Sequence, residues 1–177
     1  MKTFFYLLCS LLILSSCAPK LSVYTKDLHN SLNLSQEDTR KIQFYLNRDL
    51  VLERANDLEE AHIKDGKITL STQRDMERVV IPAKTRGVAL FSPDGKKLAV
   101  SFDPGSDEKF LIFGPNPKMD NRYMLYASEW QRNFGIVTYG GGKYRTLPGA
   151  ERTTLMVVLN SLNRQKVQSR TERGRRP

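Results

Sequence analysis

Val88-Ala89-Leu90-Phe91-Ser92-Pro93-Asp94-Gly95-Lys96-Lys97-Leu98-Ala99-Val100-Ser101-Phe102-Asp103-Pro104-Gly105 holds two short apolar runs, Val88 to Phe91 and Leu98 to Phe102, each closed by a Pro/Asp/Gly turn. Runs of this length, rich in β-branched and aromatic residues and bounded by turn residues, read as strands of a hairpin. The same pattern extends in both directions. Towards the C-terminus lie Phe110 to Phe113, Tyr123 to Tyr126, Ile136 to Tyr139, Tyr144 to Leu147 and Leu155 to Leu159, separated by Gly114-Pro115-Asn116-Pro117, Gly140-Gly141-Gly142 and Pro148-Gly149. Towards the N-terminus lie Val79 to Ile81, Leu50 to Leu52, and Ile63, Ile68 and Leu70 on either side of an Asp65-Gly66 turn. Eight or more strands at spacings of about 8 to 12 residues, with no long helix between them, predict a mainly β domain built as a small antiparallel barrel or sandwich. The last run could instead open a helix through Leu162 and Val167, but β-branched Val157 and Val158 favour a strand.

One short N-terminal helix is expected before the strands. Ser35 followed by Asp38 has capping-box spacing, and Glu37 and Asp38 suit the positive end of a helix. Ile42, Tyr45 and Leu46 then recur at helical spacing until Asn47. Residues 35–160 are thus read as the globular domain and 17–34 as a polar tether in which Leu21 to Tyr24 could add a strand. Extended, that tether would reach roughly 55 to 60 Å. Residues 161–177 form a basic tail expected to be disordered.

Residues 1–16 carry one positive charge, Lys2, an apolar run from Phe4 to Leu14, and the small residues Ser15 and Ser16. This is the layout of a secretory signal peptide, and the run is shorter than the about 20 residues a membrane span needs. Leu14-Ser15-Ser16-Cys17 resembles the lipobox of bacterial lipoproteins, in which the cysteine receives diacylglycerol and becomes the mature N-terminus. Ordinary signal-peptidase cleavage after Ala18 would leave Pro19 first, which that enzyme accepts poorly. The resemblance covers the first 17 residues and implies lipidation at Cys17, hence a membrane partner through the lipid anchor and a place in the cell envelope. Ala18, rather than an aspartate, after Cys17 favours the outer over the inner membrane. No family is recognised in the remainder.

The chain contains two cysteines. Cys9 lies in the leader and Cys17 would be acylated, which leaves no thiol for a disulfide, a thiolate metal site or a nucleophile. The net charge is +9, falling to +8 without Lys2. From Ser161 onward, Arg164, Lys166, Arg170, Arg173, Arg175 and Arg176 stand against Glu172, a surplus of five, so most of the basic character is peripheral. Such a tail suits anionic lipid headgroups or an acidic partner. Nucleic acid is not expected as a partner of an exported protein.

Phe91 to Val100 resembles the hairpin of TolB-like and WD40-like propeller blades, but only one copy exists and a blade needs neighbours. Tyr139-Gly140-Gly141-Gly142-Lys143-Tyr144 lacks both the first glycine and the Ser/Thr of a phosphate-binding loop and reads as a tight hairpin. Asp103, Asp107 and Glu108 lack calcium-loop spacing and sit beside Lys109. His29, in the expected tether, and His62, beside a hairpin, have no partners that would complete a metal triad. No Gly-x-Ser-x-Gly elbow occurs, and Glu59 and Glu60, as strand neighbours, point to opposite faces. No catalytic residue, metal or cofactor is therefore assigned, and the protein is expected not to be an enzyme.

The remaining candidate surface lies between Arg122 and Arg145, where aromatic and basic residues interleave. Tyr123, Tyr139 and Tyr144 are expected to fill the core, whereas Trp130, in what reads as a connecting loop, is expected at the surface. Arg122, Tyr126, Trp130 and Arg132 are the candidate binding residues, because aromatic platforms flanked by cations suit protein hot spots, glycans or anionic ligands. The expected function is a non-enzymatic structural or docking role towards an envelope protein, in a secretion or surface-assembly complex. The alternative is a module that binds cell-wall glycan or anionic lipid.

Overall fold

The computed structural model describes the backbone of residues 20–64, 67–160 and 162, and their side chains except those of 55–75. Cys17, the leader, most of the basic tail, the Asp65-Gly66 turn and the side chains of Glu59, Glu60 and His62 lie outside the described residues.

Twelve strands form two antiparallel sheets. In chain order they are β1 (Leu21–Val23), β2 (Gln43–Leu46), β3 (Leu50–Lys64), β4 (Lys67–Ile81), β5 (Arg86–Phe91), β6 (Leu98–Ser101), β7 (Phe110–Asn116), β8 (Arg122–Leu125), β9 (Glu129–Gln131), β10 (Phe134–Tyr139), β11 (Gly142–Thr146) and β12 (Leu155–Val158). The seven-stranded sheet has the order β1-β12-β2-β5-β6-β7-β8 and the five-stranded sheet the order β4-β3-β11-β10-β9. Between them lies one core, drawn from Phe44, Leu46, Val100, Leu111, Phe113 and Leu155 on one side and Leu50, Leu52, Val137, Tyr139 and Tyr144 on the other. The mainly β expectation is met as a sandwich rather than a closed barrel. The larger sheet curls until β8 meets the chain beside its far edge, through single bridges Thr25 to Arg122 and Met124 to Thr154, but no continuous ladder completes it.

Alternation explains which residues go inward. β10 and β11 bury Val137, Tyr139, Tyr144 and Thr146 and turn Thr138 and Arg145 outward, as period-two side-chain placement requires. Gly140 and Gly141, at φ 55° and 76°, form the two-residue turn between them. Positive φ at both central positions matches the twist of a hairpin and suits glycine. The hairpin read at Ser92 to Lys97 also forms: the Asp94 carboxylate accepts from the Lys96 and Lys97 amides at 2.9 and 2.8 Å and pairs β5 with β6.

Four features differ from expectation. Among the described residues two helices precede the long strands where one was expected, α1 (Lys26–Leu32) and α2 (Gln36–Arg40), and the last apolar run is a strand to Val158 that turns helical at Leu159 and Asn160. The Ser35–Asp38 capping box forms, yet the helix ends before Ile42. Ile42, Phe44 and Leu46 are buried instead at spacings of two, because β2 is held between β12 and β5. The tether read over 17–34 folds from Leu21 onward: β1 pairs with β12, and Tyr24 is fully buried, its ring 5.1 Å from Phe44 and 5.0 Å from Tyr123. The domain likewise runs past 160, since Leu162 is buried. Gly114-Pro115-Asn116 continues β7 rather than forming a turn. Proline is tolerated there because β6 pairs with β7 only as far as Phe113, so Pro115 needs no amide on that side.

β3 and β4 pair over fifteen residues, whereas β11 pairs with β3 at Leu52 and Glu53. At the base of this long hairpin Glu77 joins Arg54 at 2.7 Å and accepts from the Tyr144 hydroxyl at 2.8 Å. Among the described residues, no helix is long and apolar enough to cross a membrane.

Candidate docking site

Tyr126 follows directly on β8 and its amide donates to Ile112 O at 2.8 Å, which turns the chain away from the sheet and leaves the ring half exposed. Trp130 is reached four residues later. It lies on β9, not in a loop, because the Arg132-Asn133 turn folds Glu129–Gln131 back onto β10. Ser128 adds its amide and hydroxyl to Ile136 O at 2.9 and 3.0 Å and fixes where the hairpin begins. Trp130 stands opposite Gly135 and remains 39% exposed. A Cβ at position 135 would lie 2.9 Å from the indole, so the absence of a side chain is what lets the ring lie down across β10.

Tyr126 and Trp130 border one open depression of about 360 Å³, floored by Pro115, Pro117, Met124 and Leu125. Its cationic side comes from the β5–β6 turn. Lys97 Nζ sits 4.5 Å from the centroid of the Tyr126 ring and 2.7 Å from Asp94. The hydrogen bond with Lys97 holds the Asp94 carboxyl well below its usual range and raises the lysine in turn, so both stay charged near neutrality. The result is an apolar, aromatic floor with the Asp94–Lys97 ion pair at its rim, suited to stacking and to a polar group beside it.

The other two candidate residues are not brought to this floor. Arg122 is tied to Asp120 at 2.8 Å, and Arg132 occupies the β9–β10 turn with φ 50°. The depression is lined by neither. Arg145 stacks on Phe134 at 3.9 Å, on the other side of the sheet from the inward-facing Tyr144. Tyr123, Tyr139 and Tyr144 fill the core as expected. Sequence reasoning missed Lys97 and the prolines, whose residues were read only as turn formers. The one usable signal was the Asp94/Lys97 pair in the same turn.

Elsewhere, the Asp103 carboxylate accepts from the Gly105 amide at 2.8 Å and pairs with Lys109 at 3.0 Å. Those bonds lower its pKa and turn it to the protein itself. Among the described residues no group of three or more His, Cys, Asp or Glu side chains is placed to hold a metal ion. His29 is packed into the fold, Nδ1 2.7 Å from the Tyr24 hydroxyl, and burial lowers its pKa. Comparison with protein-family models, with curated protein sequences and with solved structures finds no match to this chain.

Proposed function

We propose that the protein is a lipid-anchored, non-enzymatic docking subunit of the bacterial envelope, which receives an extended segment of an envelope protein on the Tyr126–Trp130 depression. The observation that carries this reading is the polarity of the fold. Leu21 is paired with Val158, so the chain enters and leaves the described domain at one end. Cys17 stands four residues before Leu21, about 14 Å of extended chain. The basic residues from Arg164 onward follow closely on Leu162 in sequence, and anionic headgroups would add to the hold of the lipid.

The depression belongs to the opposite end. β12 runs from the Thr153–Thr154 pair to Val158, and Leu125, next to Tyr126, donates to Thr153 O at 2.9 Å. Five extended residues separate the two ends, roughly 16 Å. Held by Cys17, the domain would present the aromatic floor away from the bilayer. β9 suits a strand-like guest, being the edge of its sheet and paired with β10 alone.

The test is in-cell crosslinking from a photoreactive residue at position 126, followed by capture of the acylated protein and mass spectrometry. A defined envelope protein, crosslinked through one segment and lost on Trp130→Ala, is the expected result. Recovery of glycan or lipid alone would replace this reading with a ligand-binding module. Unchanged location and phenotype in Cys17→Ala would end the tethered-subunit reading.

A further inference from the structure

A cavity of about 120 Å³ lies between α1, α2 and the β5–β6 hairpin, away from the Tyr126–Trp130 depression. His29, Gln36 and Arg40, with Thr39 and Ser92, are among its polar lining, and Leu34, Phe91 and Leu98 among its apolar lining. We propose that it binds a small molecule in which one carboxylate is carried on a compact apolar body.

The hydrogen-bond accounting of His29 comes first. Tyr24 is fully buried, and the one partner of its hydroxyl among the described residues is His29 Nδ1 at 2.7 Å. A buried hydroxyl without an acceptor is costly, so the phenol donates and Nδ1 accepts. The proton of the neutral ring then belongs on Nε2, which has no protein acceptor among the described residues. Burial lowers the pKa of the ring and so favours this neutral form. The Tyr24–His29 pair therefore sets a donor in a residue that lines the cavity.

Arg40 is the second group. It is the charged residue of the lining, it is exposed, and it makes no ion pair among the described residues. With the Gln36 amide it completes a set of donors next to an apolar wall. One guanidinium with neutral donors matches a monoanion, and planar carboxylates suit the guanidinium fork. Leu34, Phe91 and Leu98 call for hydrocarbon, and a cavity of about 150 Å³ admits a benzene ring. The space here is slightly smaller, which limits the body to about one ring or a short branched chain.

Benzoate is the probe, with benzyl alcohol as its uncharged counterpart, titrated into the full-length protein in detergent while the His29 ring and the Leu34 and Leu98 methyl groups are followed by NMR. Benzoate should shift all three saturably in the millimolar range, with the alcohol about tenfold weaker. Arg40→Gln, at an exposed position where folding is retained, should weaken benzoate about tenfold, the loss of one charge-assisted interaction. Ala89→Leu, which fills the cavity from β5, should abolish the shifts in a protein whose remaining spectrum is native. Absence of saturation, equal binding of acid and alcohol, or binding indifferent to Arg40→Gln each overturns the proposal.

Discussion

Gly135→Ala is the sharpest probe of how the candidate docking surface is built, because its sign is opposite to the ordinary expectation. Gly135 is in extended backbone on β10, where alanine normally stabilises by about 0.5–1 kcal/mol through the lower entropy of the unfolded chain. Here the new Cβ would stand 2.8 Å from Ala127 Cβ and 2.9 Å from Trp130 Cζ3. Carbon contacts prefer about 3.5–4.0 Å, so one of the three groups must move by most of an ångström. The backbone has little freedom to yield, since the Gly135 amide donates to the fully buried Thr146 hydroxyl at 2.8 Å. The half-exposed indole gives way instead. Overpacking of this kind costs about 1–3 kcal/mol, and subtracting the backbone gain leaves a net loss of up to about 2.5 kcal/mol. Urea unfolding followed by circular dichroism measures that loss. Trp130 is the only tryptophan of the chain, so its emission reports the ring separately and should shift to the red. In a Trp130→Ala background the penalty should shrink, leaving the Ala127 contact and a coupling of roughly 0.5–1 kcal/mol. A more stable Gly135→Ala protein with unchanged emission would refute the placement of the indole over β10.

Three further outcomes are expected. Arg132 holds φ 50° in the β9–β10 turn, so Arg132→Gly should raise stability by about 0.5–1 kcal/mol in urea unfolding and leave Trp130 emission unchanged. Ser35→Ala removes the hydroxyl that caps α2 and should cost about 1 kcal/mol in the same measurement. Burial lowers the pKa of His29 from its ordinary 6.5, so the unfolded chain takes up the proton more readily than the folded one. Stability should therefore fall as pH drops below about 6.5, and His29→Gln should flatten that part of the profile. An unchanged pH profile in His29→Gln would dissociate the ring from the buried Tyr24 contact.

What could be read along the chain follows from where the physics is local. The hairpin from Val88 to Phe102 needed only two short apolar runs and the Asp94-Gly95 turn, both carried by neighbouring residues, and the structure has that hairpin. The segment from Ser35 to Leu46 failed for an instructive reason. Its cap is local and forms, but Ile42, Phe44 and Leu46 also satisfy period two, and two sheet neighbours outweigh the weak helix preference of fewer than two further turns. Leu21 to Tyr24 could be read as a strand, but the burial of Tyr24 could not, because its partners, Phe44, Tyr123 and Leu155, are scattered along the chain. The site divides in the same way. Tyr126 and Trp130 were recognisable as aromatics outside the alternation, whereas the stacking of Lys97 on Tyr126 depends on a turn more than twenty residues away.

If Cys17 carries the proposed lipid, Tyr24 is where a load on the short lead would enter the domain. β1 contributes only three residue pairs, all to β12, and Leu21 to Val23 remain partly exposed. A pull arriving from Cys17 would peel such a strand easily were it the only attachment. The next residue is the fully buried Tyr24, edge-on to Phe44, tilted against Tyr123 and hydrogen-bonded to His29, with its amide donating to Leu155 O and its carbonyl accepting from the Tyr123 amide. Burying an aromatic side chain is worth about 2–3 kcal/mol, and the ring contacts and buried hydroxyl add to it. Tyr24 thus connects β12, β2 and β8 in one place, and β8 leads directly to Tyr126. A load applied at the N-terminal end of the described domain would enter the core at Tyr24, the residue that clasps the curled sheet, rather than being spent on fraying β1.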